Sequence, residues 1–550
     1  MRRRLTAGAV AAVTGLALLT AAPESAVAEP TVTVDYTVVA ADGVSAADAT
    51  AAIKAAGGTV VSANDAVGVY RVTSTDAKFE SKATASAALI GASERKAIGY
   101  APNGMEKIER GQRSKGGKGH GPAKADPLDD KLWGLAMIKA DKARKIESGD
   151  KGVTVGVLDT GLDASNPDLA PNYNSKLSRN FAPDIVDIDG PCEVTGCVDP
   201  AGTDDGGHGT HVAGTIGAAL NGSGVSGVAP NVSLVELKGG QDSGYFFLDP
   251  VVNALTYAGD KGIDVVNMSF YVDPWLYNCT ANAADNPTQQ AEQQAIITGM
   301  KRALNYAHAR GVTLFGALGN NHEDLGKPRT DISSPDYGSD PYSRPIDNSS
   351  CWDLPVEGPH VIGVSAVGPS TRKADFSNYG LEQISVAAPG GFARDGFGTD
   401  TYNTVGNRIL SSYPLKVLQE EGLVDADGNI TAAGTDTVLK DCTKAGKCGY
   451  YTYLQGTSMA SPHAAGVGAL IVGRYGVPDF RRGGKTLLPA VVEQILYRTA
   501  AKHACPTPRL QSYTQEGRPA EFDALCEGGT NFNGFYGYGI VDAYAAVGGR

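Results

Sequence analysis

Long apolar runs are nearly absent from this 550-residue chain. The single candidate is Leu5 to Ala22, and nothing later is long and apolar enough to span a bilayer. An excess of positive charge is also missing: 48 Lys and Arg against 60 Asp and Glu leave a net charge of −12. A chain with that balance has no global basic field for phosphate backbones or an anionic membrane surface, which excludes nucleic-acid binding as its main work. No C-x-x-C pair occurs among the eight cysteines, and no H-E-x-x-H motif occurs, so neither a zinc finger nor a zinc peptidase is supported. With 42% hydrophobic and 20% charged residues, the composition is that of a globular protein with a large core, and 70 Gly and 29 Pro promise many tight turns. The length allows two to four units.

The apolar run follows Arg2, Arg3 and Arg4 and ends in Ala26-Val27-Ala28. Those are the three parts of a secretory signal, so residues 1–28 are expected to be removed and the protein to be secreted without a membrane anchor. A retained membrane helix is the alternative, weakened by Gly8, Thr14 and Gly15 within the run. Cysteine number agrees with export, since an even set in an exported chain favours disulfides. Short spacings favour Cys192 with Cys197 and Cys442 with Cys448, leaving Cys279 with Cys351 and Cys505 with Cys526. This is one connectivity out of about 105.

Residues 29–110 read as a small α+β domain. Strand-like alternation over 31–39 leads into an Ala-rich helix opened by Ser45 and closed by Gly57-Gly58. Strand signals follow at 59–62 and 67–72, a second helix at 77–89, and a closing strand at 97–100. The order βαββαβ predicts a ferredoxin-like fold. Residues 111–126, rich in Gly and cations with no apolar periodicity, predict an exposed linker open to proteolysis, with a polybasic interaction tail as the alternative.

From residue 127 to 550 the pattern is different. Short β-rich runs at 153–158, 233–237, 263–266, 312–315 and 361–365 alternate with helical stretches such as 248–261 and 289–310. That pattern predicts an α/β domain with a parallel sheet covered by helices on both faces. Functional groups in such domains sit at the carboxyl ends of the strands. Asp159 ends the first run, His208 opens an apolar helical segment and Ser458 opens another. Singly, each has a plain reading as a turn or helix-start residue.

Together, in the order Asp, His, Ser, they resemble the subtilisin-like serine proteases. Asp159-Thr-Gly, His208-Gly-Thr-His-Val-Ala-Gly-Thr and Gly456-Thr-Ser458-Met-Ala-Ser-Pro-His-Ala-Ala-Gly carry the resemblance, with Gly227-Val-Ala-Pro and Ala388-Pro-Gly between them. It spans about residues 132–547. It implies a subtilisin-like fold, a serine endopeptidase acting on polypeptides through an acyl-enzyme, and no cofactor for the chemistry. A serine hydroxyl is a poor nucleophile at neutral pH. His208 would take its proton and return it to the leaving amine, while Asp159 fixes the imidazole tautomer. Asn320 matches the family's side-chain oxyanion donor, with the backbone N–H of Ser458 as the second; in subtilisin, removing the side-chain donor costs about 10²–10³ in kcat.

Further expectations follow from the resemblance. Ser269, Phe270, Tyr271 on one side and Ala317, Leu318, Gly319 on the other would flank an extended peptide substrate. Where relatives continue this segment as Ser-Leu-Gly-Gly, Ser269-Phe270-Tyr271-Val272 puts bulky side chains at the glycine positions, which predicts a narrower groove. Asp168, Ala219, Asn221, Ser223 and Val225 match a structural calcium site in spacing, against an ordinary Gly-rich turn. His211 is structural in the family rather than half of an H-x-x-H metal pair, and Ser461 and His463 read as packing or helix-start residues. Residues 29–110 resemble the inhibitory propeptide, so a self-processing zymogen cut within 106–126 is expected, acting as a monomer with its propeptide as intramolecular inhibitor. The insertions at 279–294 and 414–448 either restrict access or are inert. Two other classes compete: a silent subtilase-fold binding protein, and a serine esterase, whose G-x-S-x-G motif is not found around Ser458.

Overall fold

The computed structural model describes residues 32–95, 126–336 and 341–550. The signal segment, the closing strand expected at 97–100 and nearly all of the linker lie outside them.

Strands β1 (Val34–Ala40), β2 (Thr59–Asn64), β3 (Val69–Ser74) and β4 (Leu89–Glu94) form one antiparallel sheet in the order β2-β3-β1-β4. Helix α1 (Ala46–Ala56) is capped by the Ser45 hydroxyl, which accepts from the Asp48 N–H at 3.1 Å, and stops where Gly57 turns left-handed at φ +99°. The second helix, α2 (Phe79–Thr84), ends sooner than its Ala content predicts, and the fourth strand begins at Leu89. The side-chain alternation of a strand divides this sheet's two faces. Tyr36, Val38, Tyr70 and Val72 point to the helices and pack with Ile53 and Phe79. Val39 and Val69 point the other way, into a core shared with residues beyond 240.

The larger part is built on a seven-stranded sheet. It contains β5 (Thr154–Asp159), β6 (Arg179–Asn180), β7 (Ser233–Lys238), β8 (Val265–Met268), β9 (Thr313–Ala317), β10 (Val361–Val367) and β11 (Val386–Pro389), in the order β11-β10-β9-β8-β5-β7-β6. Every neighbouring pair is parallel. Strands buried on both faces read as continuous apolar runs, which is why five of them stand out in the sequence. The two-residue β6 and the short Val-Ala-Ala-Pro of β11 carry too little pattern to do so.

Helix α3 (His208–Gly217) and the long α6 (Thr457–Tyr475) lie in the main core, while α4 (Leu248–Lys261) and α5 (Pro287–Ala309) cover the other face. A second antiparallel sheet of β12 (Ile409–Tyr413), β13 (Val438–Cys442) and β14 (Cys448–Leu454) includes part of the 414–448 insertion and feeds directly into α6. Disulfides join Cys192 to Cys197, Cys279 to Cys351, Cys442 to Cys448 and Cys505 to Cys526, as the spacings favoured.

The small sheet rests on α4 and α5. Thr37 donates to Asp249 at 3.1 Å, Asn64 to Asn253 and Thr256 at 2.9 and 2.8 Å, and Ser93 to Glu292 at 2.8 Å. Glu292 is oriented from its other oxygen by the Trp275 indole N–H at 3.0 Å. Arg302, on α5, donates to the Val67 carbonyl at 3.0 Å. At Gly91 an added Cβ would stand 2.5 Å from the Ala291 carbonyl oxygen, so glycine there permits the close approach of β4 to α5.

Candidate active site

Asp159 and His208 meet because β5 ends beside the amino end of α3. The Asp159 carboxylate is fully buried and lies 2.7 Å from His208 Nδ1 through Oδ1, which also accepts from the Thr160 N–H at 2.9 Å. Burial opposes charge on the imidazole. The adjacent Asp159 carboxylate outweighs it, with help from Asp204, and holds His208 above the ordinary histidine range.

Asp204 is a residue that the motif reading passed over. Its carboxylate accepts from the N–H groups of Gly207 and Thr210, both at 2.8 Å, and from the hydroxyls of Thr160 and Thr210 at 2.9 and 2.6 Å. It satisfies free donors at the start of α3 and joins that helix to the segment after Asp159. A carboxylate four residues before a helix-opening histidine is the only sequence signal of this role.

Ser458 stands in the first turn of α6. Its hydroxyl donates to the Ser269 carbonyl at 3.2 Å, and the Ser269 hydroxyl donates back to the Ser458 carbonyl at 3.1 Å. Ser269 Oγ also accepts from the Asn267 amide at 2.9 Å, and Asn267 accepts from the Ser461 hydroxyl at 2.7 Å. Ser461 and Asn267 thus bind the end of β8 to the start of α6. The hydroxyl proton of Ser458 is directed at the Ser269 carbonyl in this arrangement.

Asn320 is held by its oxygen. Oδ1 accepts from the Thr457 N–H at 2.9 Å and the Thr457 hydroxyl at 3.0 Å, and that hydroxyl accepts from the Gly319 N–H at 3.0 Å. A Cβ built at Gly456 would lie 3.5 Å from Asn320 Nδ2 and 3.6 Å from the Ser458 nitrogen, so both donors flank one small space that glycine leaves open. Thr457 is a second residue whose part has no signal of its own in the sequence, since its partner Asn320 lies 137 positions away.

The two other histidines on these helices are held by backbone carbonyls. His211 is fully buried with Nε2 on the carbonyls of Ile409 and Thr452 at 3.0 and 3.2 Å; burial pushes it down to about 3, so it is neutral and ties α3 to β12 and β14. His463 lies with Nδ1 2.8 Å from the Met459 carbonyl and is likewise pushed down by burial, to about 4. Neither belongs to a cluster that could hold a metal among the described residues.

Of the segments expected beside a substrate, Ser269 to Tyr271 continues β8 and Ala317 to Gly319 continues β9. The Phe270 ring stacks on Phe246 at 3.9 Å and the Tyr271 hydroxyl donates to Asp336 at 2.8 Å, so both bulky side chains have partners in the protein. Leu318 is fully buried in a cluster with Leu276 and Tyr277, against which Tyr271 packs.

The calcium expectation at Asp168, Ala219, Asn221, Ser223 and Val225 does not fit the donors present. Asp168 accepts from the Val225 N–H at 2.9 Å, the Tyr451 hydroxyl at 2.8 Å and the Asn221 amide at 3.3 Å, all hydrogen donors where a cation would need oxygens. Asn221 Oδ1 accepts from the Ser223 N–H at 3.0 Å. Asp126 and Asp441 take the N–H groups of Gly222 and Gly224 at 2.6 and 2.8 Å. The Tyr451 hydroxyl fills the inside of the turn, 1.9 Å from where a Cβ of Gly224 would stand. Burial pushes Asp168 up to about 7 against these bonds. Two other acidic groups, Asp184 with Glu193 and Asp199, and Glu193 with Asp205 and Asp242, gather ligand atoms within 4.8 Å. Lys238, 3.5 Å from Asp199, and Lys416, 2.8 Å from Asp205, already bring positive charge to them.

A model of the subtilase family matches residues 150–539, and the chain belongs to that family of serine proteases. It is 29% identical to subtilisin DY of Bacillus licheniformis over 343 residues, covering 62% of this chain and 85% of the relative. The fold is similar to that of an epidermin leader peptide processing serine protease from Staphylococcus aureus, at 20% identity and a TM-score of 0.60 over 94% of this chain and 98% of that one. It is also similar to fervidolysin from Fervidobacterium pennivorans, described as keratinolytic and related to subtilisin, at 23% identity and a TM-score of 0.55 over 94% and 61% of the two chains.

Two outcomes are expected. A base must be neutral to accept a proton, so a raised His208 means that kcat/KM falls with acidity along a limb centred above about 6.5. Asp159→Asn should move that limb to lower pH and cut kcat by about 10⁴; an unmoved limb in a pH–rate profile would contradict the assignment. Tyr451→Phe should cost about 1–2 kcal/mol in thermal unfolding by depriving Asp168 of a donor, without rescue by added calcium. Rescue would restore the calcium reading.

Proposed function

We propose that this protein is a secreted serine endopeptidase made as a zymogen, in which Ser458 attacks the peptide carbonyl, His208 carries the proton and Asp159 orients the ring. The observation that carries the reading is the buried 2.7 Å pair of Asp159 and His208, in a chain where Ser458 and the Asn320 amide share one loop junction. Ser458 would turn its proton from Ser269 to His208 as substrate enters, since catalytic hydrogen bonds are often unmade before the complex forms. The oxyanion would occupy the space at Gly456, facing Asn320 Nδ2 and the Ser458 N–H. No metal or cofactor takes part in this chemistry.

Residues 29–110 would serve as the inhibitory propeptide, with 111–126 as the cleaved connector and 127–550 as the catalytic domain. The supports are the polar and apolar seam between the small sheet and helices α4 and α5, and the linker composition that follows it. The even set of disulfides and the lack, among the described residues, of any helix able to cross a membrane accord with secretion.

Full-length Ser458→Ala should stay uncut when incubated alone and be cut between residues 106 and 126 when active enzyme is added. Cleavage of the isolated variant would contradict self-processing. Casein hydrolysis that stops with a serine-directed organofluoride is expected of the active enzyme, whereas ester turnover without peptide cleavage would favour an esterase.

A further inference from the structure

Asp353 is 3% exposed, yet its carboxylate accepts no hydrogen bond and has no cation within 4.0 Å among the described residues. The backbone around it is well held: its N–H donates to Glu357 at 2.6 Å and its carbonyl accepts from the Glu357 N–H at 2.8 Å. A carboxylate held this firmly, with neither a donor nor a cation of the protein at its oxygens, is placed to pair with a cationic group brought in from outside.

Its position says where that cation would come from. A Cβ at Gly319 would stand 3.3 Å from Asp353 Oδ2, and Gly319 immediately precedes Asn320. The next residue, Leu354, accepts through its carbonyl from the Val272 N–H at 2.9 Å. Asp353 therefore lies beneath the gap between the two segments that continue β8 and β9, close to the amide that would hold the oxyanion.

The surroundings are acidic. Arg329 is the nearby cation, and it is engaged by Glu323 at 3.2 Å, Glu357 at 3.9 Å and the Tyr277 ring at 4.2 Å. Three carboxylates, Asp353, Glu323 and Glu357, thus face one guanidinium. Burial, then Glu357 and Glu323, push Asp353 well above the carboxylate range, while Arg329 opposes them.

We propose that Asp353 is the floor of the pocket for the side chain just before the scissile bond and selects arginine or lysine there. The inference deepens the peptidase reading and rests on it. Arginine fits best, because a guanidinium presents a planar fork of donors to a carboxylate, with lysine second as a point charge. A neutral or acidic side chain leaves Asp353 unpaired, and a site built on a buried polar group rejects such analogues strongly. The chain's own connector is consistent with this preference: between residues 106 and 126 it carries Lys107, Arg110, Arg113, Lys115, Lys118 and Lys124.

The test is a series of fluorogenic peptides, differing only in the residue before the cleaved bond, offered to the self-processed enzyme. Arginine should exceed leucine in kcat/KM by at least about 100-fold, with glutamate last. In Asp353→Asn that ratio should collapse toward unity, and in Asp353→Glu, which keeps the charge, it should persist. Mass spectrometry of the first self-processing product should place the cut after a lysine or arginine. A wild-type preference for leucine or phenylalanine, an arginine preference that survives in Asp353→Asn, or a first cut after a neutral residue would overturn the assignment. Failure to cleave casein or any peptide of the series would overturn the peptidase reading itself, and this inference with it.

Discussion

A hydrogen bond hidden from water, 2.7 Å between Asp159 and His208, is the contact on which the site is organised. In water it would be weak and freely exchanged. Here the end of a buried parallel strand presents the carboxylate, and the start of a helix presents the ring. Asp204 fastens the two backbones together, so neither side chain needs to search for the other. The same economy recurs opposite, where Thr457 holds Asn320 by its oxygen. Positioning of this kind acts before substrate arrives, and catalysis gains because little reorganisation is then required.

The helix that carries Ser458 is fixed from several sides. His211 reaches from α3 to the two strands that deliver the chain to Gly456, and Ser461 reaches through Asn267 to the end of β8. Where relatives by resemblance hold a calcium ion, Tyr451 on β14 supplies a hydroxyl to Asp168. The turn at 219–225 is thereby bonded to the sheet that precedes Ser458. That hydrogen bond couples the turn to the strand that leads to Ser458 through covalent chain.

Much of this was readable in the sequence because it is local. Runs such as 153–158 and 361–365 announce buried strands by composition, and the helix at 248–261 has the bounds its periodicity predicted. The motifs around Asp159, His208 and Ser458 are long enough to single those residues out. What escaped is of two kinds. The fourth strand of the small sheet begins at Leu89, where an alanine-rich stretch reads as helix, because pairing with Val39 and Ala40 overrides propensity. Asp204, Thr457, Tyr451 and Asp353 act through partners 44 to 283 positions away or through neighbouring segments, and no spacing rule joins them. The spacing at Asp168 is likewise a local pattern, and it carries no sign of the distant Tyr451 hydroxyl that donates to Asp168 inside the turn.

The proposed chemistry requires that Ser458 alone among the serines be activated by the buried acid–base pair. Brief exposure of the self-processed enzyme to a radiolabelled organofluorophosphate, followed by peptide mapping, tests it most directly. One adduct per molecule is expected, on the peptide bearing Ser458 and absent after unfolding in denaturant. Label spread over several serines, or none at all on Ser458 in folded protein, would contradict it.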